Sequence, residues 1–589
     1  MFTSDSFTDT AGTLLETHTG ETGAAWTRNP AFSSGSAAIT AAGRLRGNSS
    51  GFALYYSSGV PASADYDVEA DLFIASASDT TGLLGRQSTS AATYYLFDYE
   101  FATGQWRLYT VVNGATLNTA VFAQTLIVGQ TYHVRLSMRG SAIACFVNGT
   151  QIISLADSNI TAAGRAGVLF GNLDTDSTGT QIDNFTAAVP SSIAVTDSNL
   201  FFSPYNWQSD GAGALQANNV NASSTFAQSN TPGAYCKFTV NAAASGYVSL
   251  LLDTSPLSGI SAGNCPQIAC SVDGQALFVQ LLAFATGVTR LVLSGSLSSG
   301  NHTFLVHFRS VTLNSSSAMG DRWNTPASVV KITGIELDGK GSATASQTLH
   351  GKNLLVYGDS ITEGADAVGA SNNNADQDST QTYAQLLASA LDAEVGIVGF
   401  SGQGWTVSGY GNVPKFYDTT TPANSTFDKY SSGFSRLRSG LLSPAPDYIL
   451  VLHGTNDANQ GATDAAVTST VSAWLSAVRA DAASGQIFVT IPFGGGKRSA
   501  ITGGFNAVSD SNAHLVDLGT TIEPTLSAGG INTNDGMHPN VRGHATFAAL
   551  LANQLRQLIA PPASASNFTA SSGDFAGGSI QLSTGAFAA

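Results

Sequence analysis

Four short stretches of this chain hold the residue types needed for acyl transfer. "GDS" (358–360) offers Ser360 behind a glycine and an acid. "GFSGQGW" (399–405) offers backbone N–H groups at Gly399, Gly402 and Gly404. "HGTND" (453–457) supplies the Asn456 amide and Asp457, and "NDGMHPN" (534–540) supplies Asp535 and His538. A serine hydroxyl is a weak nucleophile until a base takes its proton, and imidazole does this near neutral pH. The imidazole needs an acceptor on its other nitrogen, a role open to Asp535. A tetrahedral oxyanion needs donors fixed in advance, and the N–H groups of Ser360 and Gly402 with the Asn456 amide can provide them. Losing one such donor costs about 3–4 kcal/mol of transition-state stabilisation.

Three of these stretches stand at the end of an apolar run, and the fourth lies beyond the last run, just before the final helical pattern. "NLLVYG", "AEVGIVGF", "DYILVLHG", "QIFVTIPF" and "HLVDLG" are continuous enough to be strands buried on both faces. Between them lie helical patterns. Tyr383, Leu386, Leu387, Ala390 and Leu391 fall on one face, as do Val467, Val471, Trp474, Leu475 and Val478. Strands alternating with helices predict a three-layer α/β unit with a parallel sheet over 347–562, whose strand ends converge on one edge. Two other serines sit in Gly-x-Ser-x-Gly, "GNSSG" (47–51) and "GISAG" (259–263), but neither has a helix to follow it.

Residues 351–560 resemble an SGNH (GDSL-type) hydrolase of flavodoxin-like fold. "GDSITEG" resembles its first block, "GFSGQG" its second, "GTND" its third and "DGMHPN" its last. The resemblance implies Ser360 as nucleophile, His538 as base and Asp535 as its orienting acid. It implies an oxyanion hole of Ser360, Gly402 and Asn456, and ester hydrolysis with no metal and no cofactor. Two positions depart from the pattern. Gln403 stands where the family often has an acid, and Ile397 or Val398 where it has a leading asparagine. Asp359, Asp457 and Trp405 are the candidate substrate-binding residues. The loops 364–380 and 401–433 are polar with scattered Trp405, Tyr410, Phe416 and Tyr417, suited to sugar more than to lipid, with core packing of each ring an equal alternative.

The preceding half reads as strands. Tyr66, Val68, Ala70, Leu72 and Ile74 alternate with Asp65, Asp67, Glu69 and Asp71, as in half-buried antiparallel strands with one wet face. Asn148-Gly149 and Asp273-Gly274 mark hairpins. The expected architecture is multidomain: an antiparallel β-sandwich over 1–190, a second over 191–346, the α/β domain, and a Ser/Gly/Ala-rich tail over 563–589. The first sandwich resembles concanavalin-like or laminin-G-like domains, and its opening is similar to starts of phage virion and tail proteins. The second resembles carbohydrate-binding-type domains. Both sandwiches are expected to contribute only local concentration on a polymer.

A net charge of −16 with no basic run argues against nucleic acid as a partner. No apolar stretch is long enough to insert in a membrane, and no secretory signal is visible, which suits a virion or otherwise extracellular protein. Cys145, Cys236, Cys265 and Cys270 lack zinc spacing; Cys265 and Cys270 could bridge a small loop, with two buried thiols as the favoured reading. These readings give an esterase that removes acetyl groups from an acetylated polysaccharide. The alternative is a polysaccharide-binding adhesin or structural virion component with secondary or lipid-directed esterase activity.

Overall fold

The computed structural model describes residues 1–559 apart from 32, 78–79, 211–214, 314–315, 346–348 and 372. The expected tail at 563–589 lies outside the described residues. Strands between Thr3 and Ala188 form an eight-stranded and a seven-stranded antiparallel sheet around one core, with Val68, Leu72, Leu136, Val168 and Phe170 inside. Strands between Ser191 and Thr344 form two six-stranded sheets around a second core. Asn148 (φ 48°) and Gly149 (φ 78°), like Asp273 (52°) and Gly274 (71°), take the left-handed conformation that tight hairpins demand. All four cysteines are free and buried. No helix among the described residues is long and apolar enough to cross a membrane.

One expectation changes. The polar face of strand Tyr66–Ile74 does not simply face water, because Asp67 and Glu69 are buried. The second sandwich lies against them. Arg139 Nη2 donates to Asp67 Oδ2 at 2.8 Å while its Nε lies 3.3 Å from Glu336 of the second sandwich. Buried charge has to be paired, and here the pairing joins two domains.

The α/β unit has five parallel strands: β1 (Lys352–Gly358), β2 (Ala393–Gly399), β3 (Tyr448–Leu452), β4 (Gln486–Thr490) and β5 (Ala513–Val516), in the order β2-β1-β3-β4-β5. Its helices are α1 (Ser360–Glu363), α2 (Tyr383–Ala390), α3 (Thr455–Asn459), α4 (Asp464–Asp481), α5 (Arg498–Asn506) and α6 (Val541–Ile559). Leu355 and Tyr357 of β1 pack with Trp474 of α4 on one face. Leu354 and Val356 pack with Leu387 of α2 and Phe547 of α6 on the other. Burial on both faces explains the continuous apolar runs. The order reverses direction beside β1 and β3, where an open sheet of this kind leaves its crevice.

Strand β2 is an edge, yet the second sandwich covers it. Asn206 Oδ1 accepts the Ile397 N–H at 3.1 Å and its amide donates to the Ile397 carbonyl, imitating a neighbouring strand. Tyr235 Oη accepts the Val395 N–H at 3.0 Å and donates to Glu394, whose other oxygen meets Lys237 Nζ at 2.7 Å. Arg436 donates to the Tyr205 carbonyl at 2.9 Å, and Asn230 donates to the Tyr430 carbonyl at 3.0 Å. The second sandwich is thus built into the catalytic half, contrary to a purely concentrating role. A fragment starting at residue 347 is expected to be insoluble or inactive. One spanning 190–562 is expected to stay soluble and hydrolyse p-nitrophenyl acetate. Full turnover by the shorter fragment would show the covered edge to be dispensable.

Candidate active site

Strand β1 ends in a turn that only glycine can make. A Cβ on Gly358 would lie 1.9 Å from Thr362 Oγ1. Asp359 follows in an extended conformation and caps the one-turn α1, its Oδ1 accepting the Ile361 N–H at 3.0 Å. Ser360 is thereby presented at the sheet's carboxyl edge. Its Oγ lies 2.8 Å from His538 Nε2, and His538 Nδ1 lies 2.6 Å from Asp535 Oδ2. Asp535 Oδ1 accepts the backbone N–H groups of Met537 at 2.9 Å and His538 at 2.7 Å, so the loop before α6 holds acid and imidazole as one unit.

The electrostatics follow from these contacts. Burial alone would raise the Asp535 carboxyl, but the hydrogen bond and charge of His538 and the two N–H groups pull it far below the ordinary carboxylate range. Burial alone would lower His538. The Asp535 hydrogen bond and charge, with the charges of Asp359 and Asp366, raise it instead. Asp359, wholly buried, is pushed up to about 7 by desolvation, against the opposing pull of the Ile361 N–H and His538.

Gly402 has φ 78°, a left-handed conformation, and a Cβ there would meet the Tyr410 ring at 3.2 Å. The N–H groups of Ser360 and Gly402 make no hydrogen bond among the described residues. The Asn456 amide differs: it donates to Asp359 Oδ2 at 3.1 Å and to the Gln403 carbonyl at 2.9 Å. Asn456 is therefore fixed between the residues flanking Ser360 and Gly402, but it must exchange one bond to donate to an oxyanion. Gln403, at the family's acidic position, is buried and donates to Pro414 and Thr426.

The three candidate substrate contacts are corrected by burial. Asp359, Trp405 and Asp457 are each 0% exposed. Asp457 accepts the N–H groups of Trp405 and Thr406, each at 2.8 Å, and the Thr406 hydroxyl. The Trp405 indole donates to the His453 carbonyl at 3.0 Å and packs on Trp474 and Phe416. All three hold the loops rather than meet a ligand. Phe416 and Tyr417 are also buried, and among the four loop aromatics only Tyr410, 48% exposed, faces outward. The decoy serines of "GNSSG" and "GISAG" lie in the two sandwiches, neither of them at a strand-to-α-helix turn.

Three neighbours of the site escaped the sequence reading. Asp366, fully buried, places Oδ2 3.8 Å from His538 Nδ1, beside Asp535. Glu363, on α1 with Ser360, accepts from the Ser401 hydroxyl and meets Arg322 Nη2 of the second sandwich at 2.6 Å. Arg322 also donates to the Asn230 carbonyl at 2.6 Å, and its backbone N–H to Gly411 at 2.8 Å. The only sequence signal was charge: an acid and a base in a chain with 11% charged residues. Next to the site, a cavity of about 220 Å³ is lined by Ile361, Ala458, Asn459, Glu523, Leu526 and Met537.

Residues 356–546 match the GDSL-like Lipase/Acylhydrolase family. This part of the chain is a GDSL-type hydrolase domain. No curated protein matches the sequence. Among solved structures, a family two carbohydrate esterase from Cellvibrio japonicus is similar at 19% identity and a TM-score of 0.48, over 63% of this chain and 98% of that one. An acetyl xylan esterase from the rumen bacterium Butyrivibrio proteoclasticus is similar at 17% identity and a TM-score of 0.47, over 63% and 99%. A carbohydrate-binding module from Bacillus subtilis shares 22% identity at a TM-score of 0.23, over 28% and 94%.

The GDSL domain's first and second blocks are joined through Glu363 to Arg322. Breaking a buried ion pair by removing one partner costs roughly 3–5 kcal/mol, because the other charge stays buried. Arg322→Met and Glu363→Gln should each lose stability on that scale in urea unfolding, and the double variant should lose clearly less than their sum. Additive losses would show that the two side chains do not depend on each other.

Proposed function

We propose that this protein is a serine esterase that removes acetyl or other short acyl groups from a polysaccharide. The Ser360–His538–Asp535 relay, with its 2.8 Å and 2.6 Å contacts, carries the reading. His538 Nε2 takes the Ser360 proton as Oγ attacks the ester carbonyl. The N–H groups of Ser360 and Gly402 meet the developing oxyanion, and Asn456 joins them by exchanging its bond to Asp359. His538 then protonates the departing sugar hydroxyl, leaving the acyl group on Ser360. Water, deprotonated by the same imidazole, releases the acid. Asp535 keeps Nδ1 protonated throughout.

A short acyl group is favoured by the neighbouring cavity. Its volume of about 220 Å³ is below the roughly 300–1,000 Å³ of pockets for drug-sized ligands, and Glu523 forms part of its wall. The polar loops and the outward Tyr410 suit a sugar. A complete serine–histidine–aspartate relay favours catalysis over the adhesin alternative, since a binder has no use for it.

The neutral imidazole is the active form, so activity is lost as pH falls through the His538 pKa. That pKa is raised, so the acid limb should lie above the ordinary histidine value of about 6.5. Asp535→Asn removes the main raising influence: the limb should move to lower pH and the rate fall on the order of 10⁴-fold. Asp366→Asn should move the limb the same way by less. A kcat/KM profile unmoved by either change would contradict the assignment.

Acetylated polysaccharide treated with the enzyme should lose its acetyl signals by NMR at unchanged chain length by size exclusion, and Ser360→Ala should abolish this. A shortened polymer without acetate release would make the protein a depolymerase.

A further inference from the structure

The outer face of strand Thr131–Arg139 in the first sandwich meets the second sandwich across a cavity of about 240 Å³. Its wall carries three guanidinium groups, Arg135, Arg139 and Arg290, and one carboxylate, Glu336. The whole chain has 24 lysines and arginines and a net charge of −16, so this concentration of arginine runs against its composition.

Two of the three are engaged. Arg139 donates to Asp67 at 2.8 Å and to the Tyr247 hydroxyl at 2.7 Å, and Arg290 donates to Glu336 at 3.0 Å. Arg135 is different. Its guanidinium carbon lies 4.0 Å from the ring centre of Phe146, in its own sandwich, and 4.0 Å from that of Tyr247, in the other. Arg135 is 4% exposed, its Nε is wholly buried without a partner, and no N–H of its side chain is hydrogen-bonded among the described residues. Glu69, opposite it on the neighbouring strand, is taken up by Lys340 at 2.6 Å.

A buried guanidinium without acceptors is costly, and five donors in a rigid fork suit a planar carboxylate. Ring centres from both sandwiches lie 4.0 Å from its guanidinium carbon, and Arg135 lines the cavity. Ser137, Ser249 and the exposed Ser154 and Gln151 add hydroxyl and amide groups to the wall. Val288, 52% exposed, stands at its mouth. The volume suits one monosaccharide.

We propose that this cavity binds a carboxylate-bearing sugar residue, with Arg135 gripping the carboxylate through two parallel hydrogen bonds and the hydroxyl-rich wall meeting the ring. The site is separate from Ser360 and needs nothing from the esterase reading. It would hold a uronate unit of a polymer on the first two domains.

Binding is tested by calorimetry on the full-length Ser360→Ala protein with methyl glucuronide and methyl galacturonide, against methyl glucoside and inorganic sulfate. At least one uronide should bind at least tenfold more tightly than glucoside or sulfate. Arg135→Met, which keeps an apolar stem beside the rings, and Arg135→Lys, which loses the fork, should each weaken it at least tenfold. Ser154→Trp fills the cavity from its exposed wall and should do the same. It decides the matter if the Arg135 variants do not fold. Sulfate binding as tight as the uronide would overturn the sugar assignment. No uronide binding, or binding untouched by Ser154→Trp, would overturn the site.

Discussion

Strand Ala393–Gly399 forms one border of the parallel sheet, and its outward N–H and C=O groups must find partners or recruit another chain. The second sandwich supplies them from side chains: Asn206 on both polar groups of Ile397, and Tyr235 on the Val395 N–H. Closing the sheet this way brings the two domains into one packed body. It also carries Arg322 to Glu363, one turn of helix beyond Ser360, and through Glu363 to Ser401 beside Gly402. The geometry around the serine is therefore shared property of two domains.

Within that frame, environment separates the acids. Asp535 is held low by the imidazole and two backbone N–H groups, whereas Asp359, which also feels the His538 charge, is pushed up to about 7 by burial. Carboxyl groups of one type are thus shifted in opposite directions by their surroundings.

Much of the catalytic half was legible because its signals are local. Glycine at 358, serine at 360 and glycine at 402 each follow from a strand exit and a tight turn, the Asp535–His538 spacing belongs to the turn before the last helix, and the continuous apolar runs announced a sheet buried on both faces. What failed was long-range. Trp405 in a polar loop looks like a sugar platform until Trp474, Phe416 and the His453 carbonyl enclose it. Asp457 looks available until the turn of Trp405 and Thr406 takes both its oxygens. Arg322 meets Glu363, and Asp366 approaches His538, across gaps of about 40 and 170 residues, which no periodicity reveals. The alternating Asp67 and Glu69 read as solvent-facing because one sequence pattern cannot tell water from a partner domain.

The mechanism stands or falls on a covalent acyl intermediate at one serine. Acid quenching during turnover of a slowly hydrolysed acetyl ester, followed by peptide mass spectrometry, measures this directly. The acetyl group should appear on the peptide containing Ser360, accumulate before steady state, and be absent in Ser360→Ala. Acetate release at full rate with no acetylated Ser360, or with the label on another residue, would contradict a serine esterase built at this strand exit.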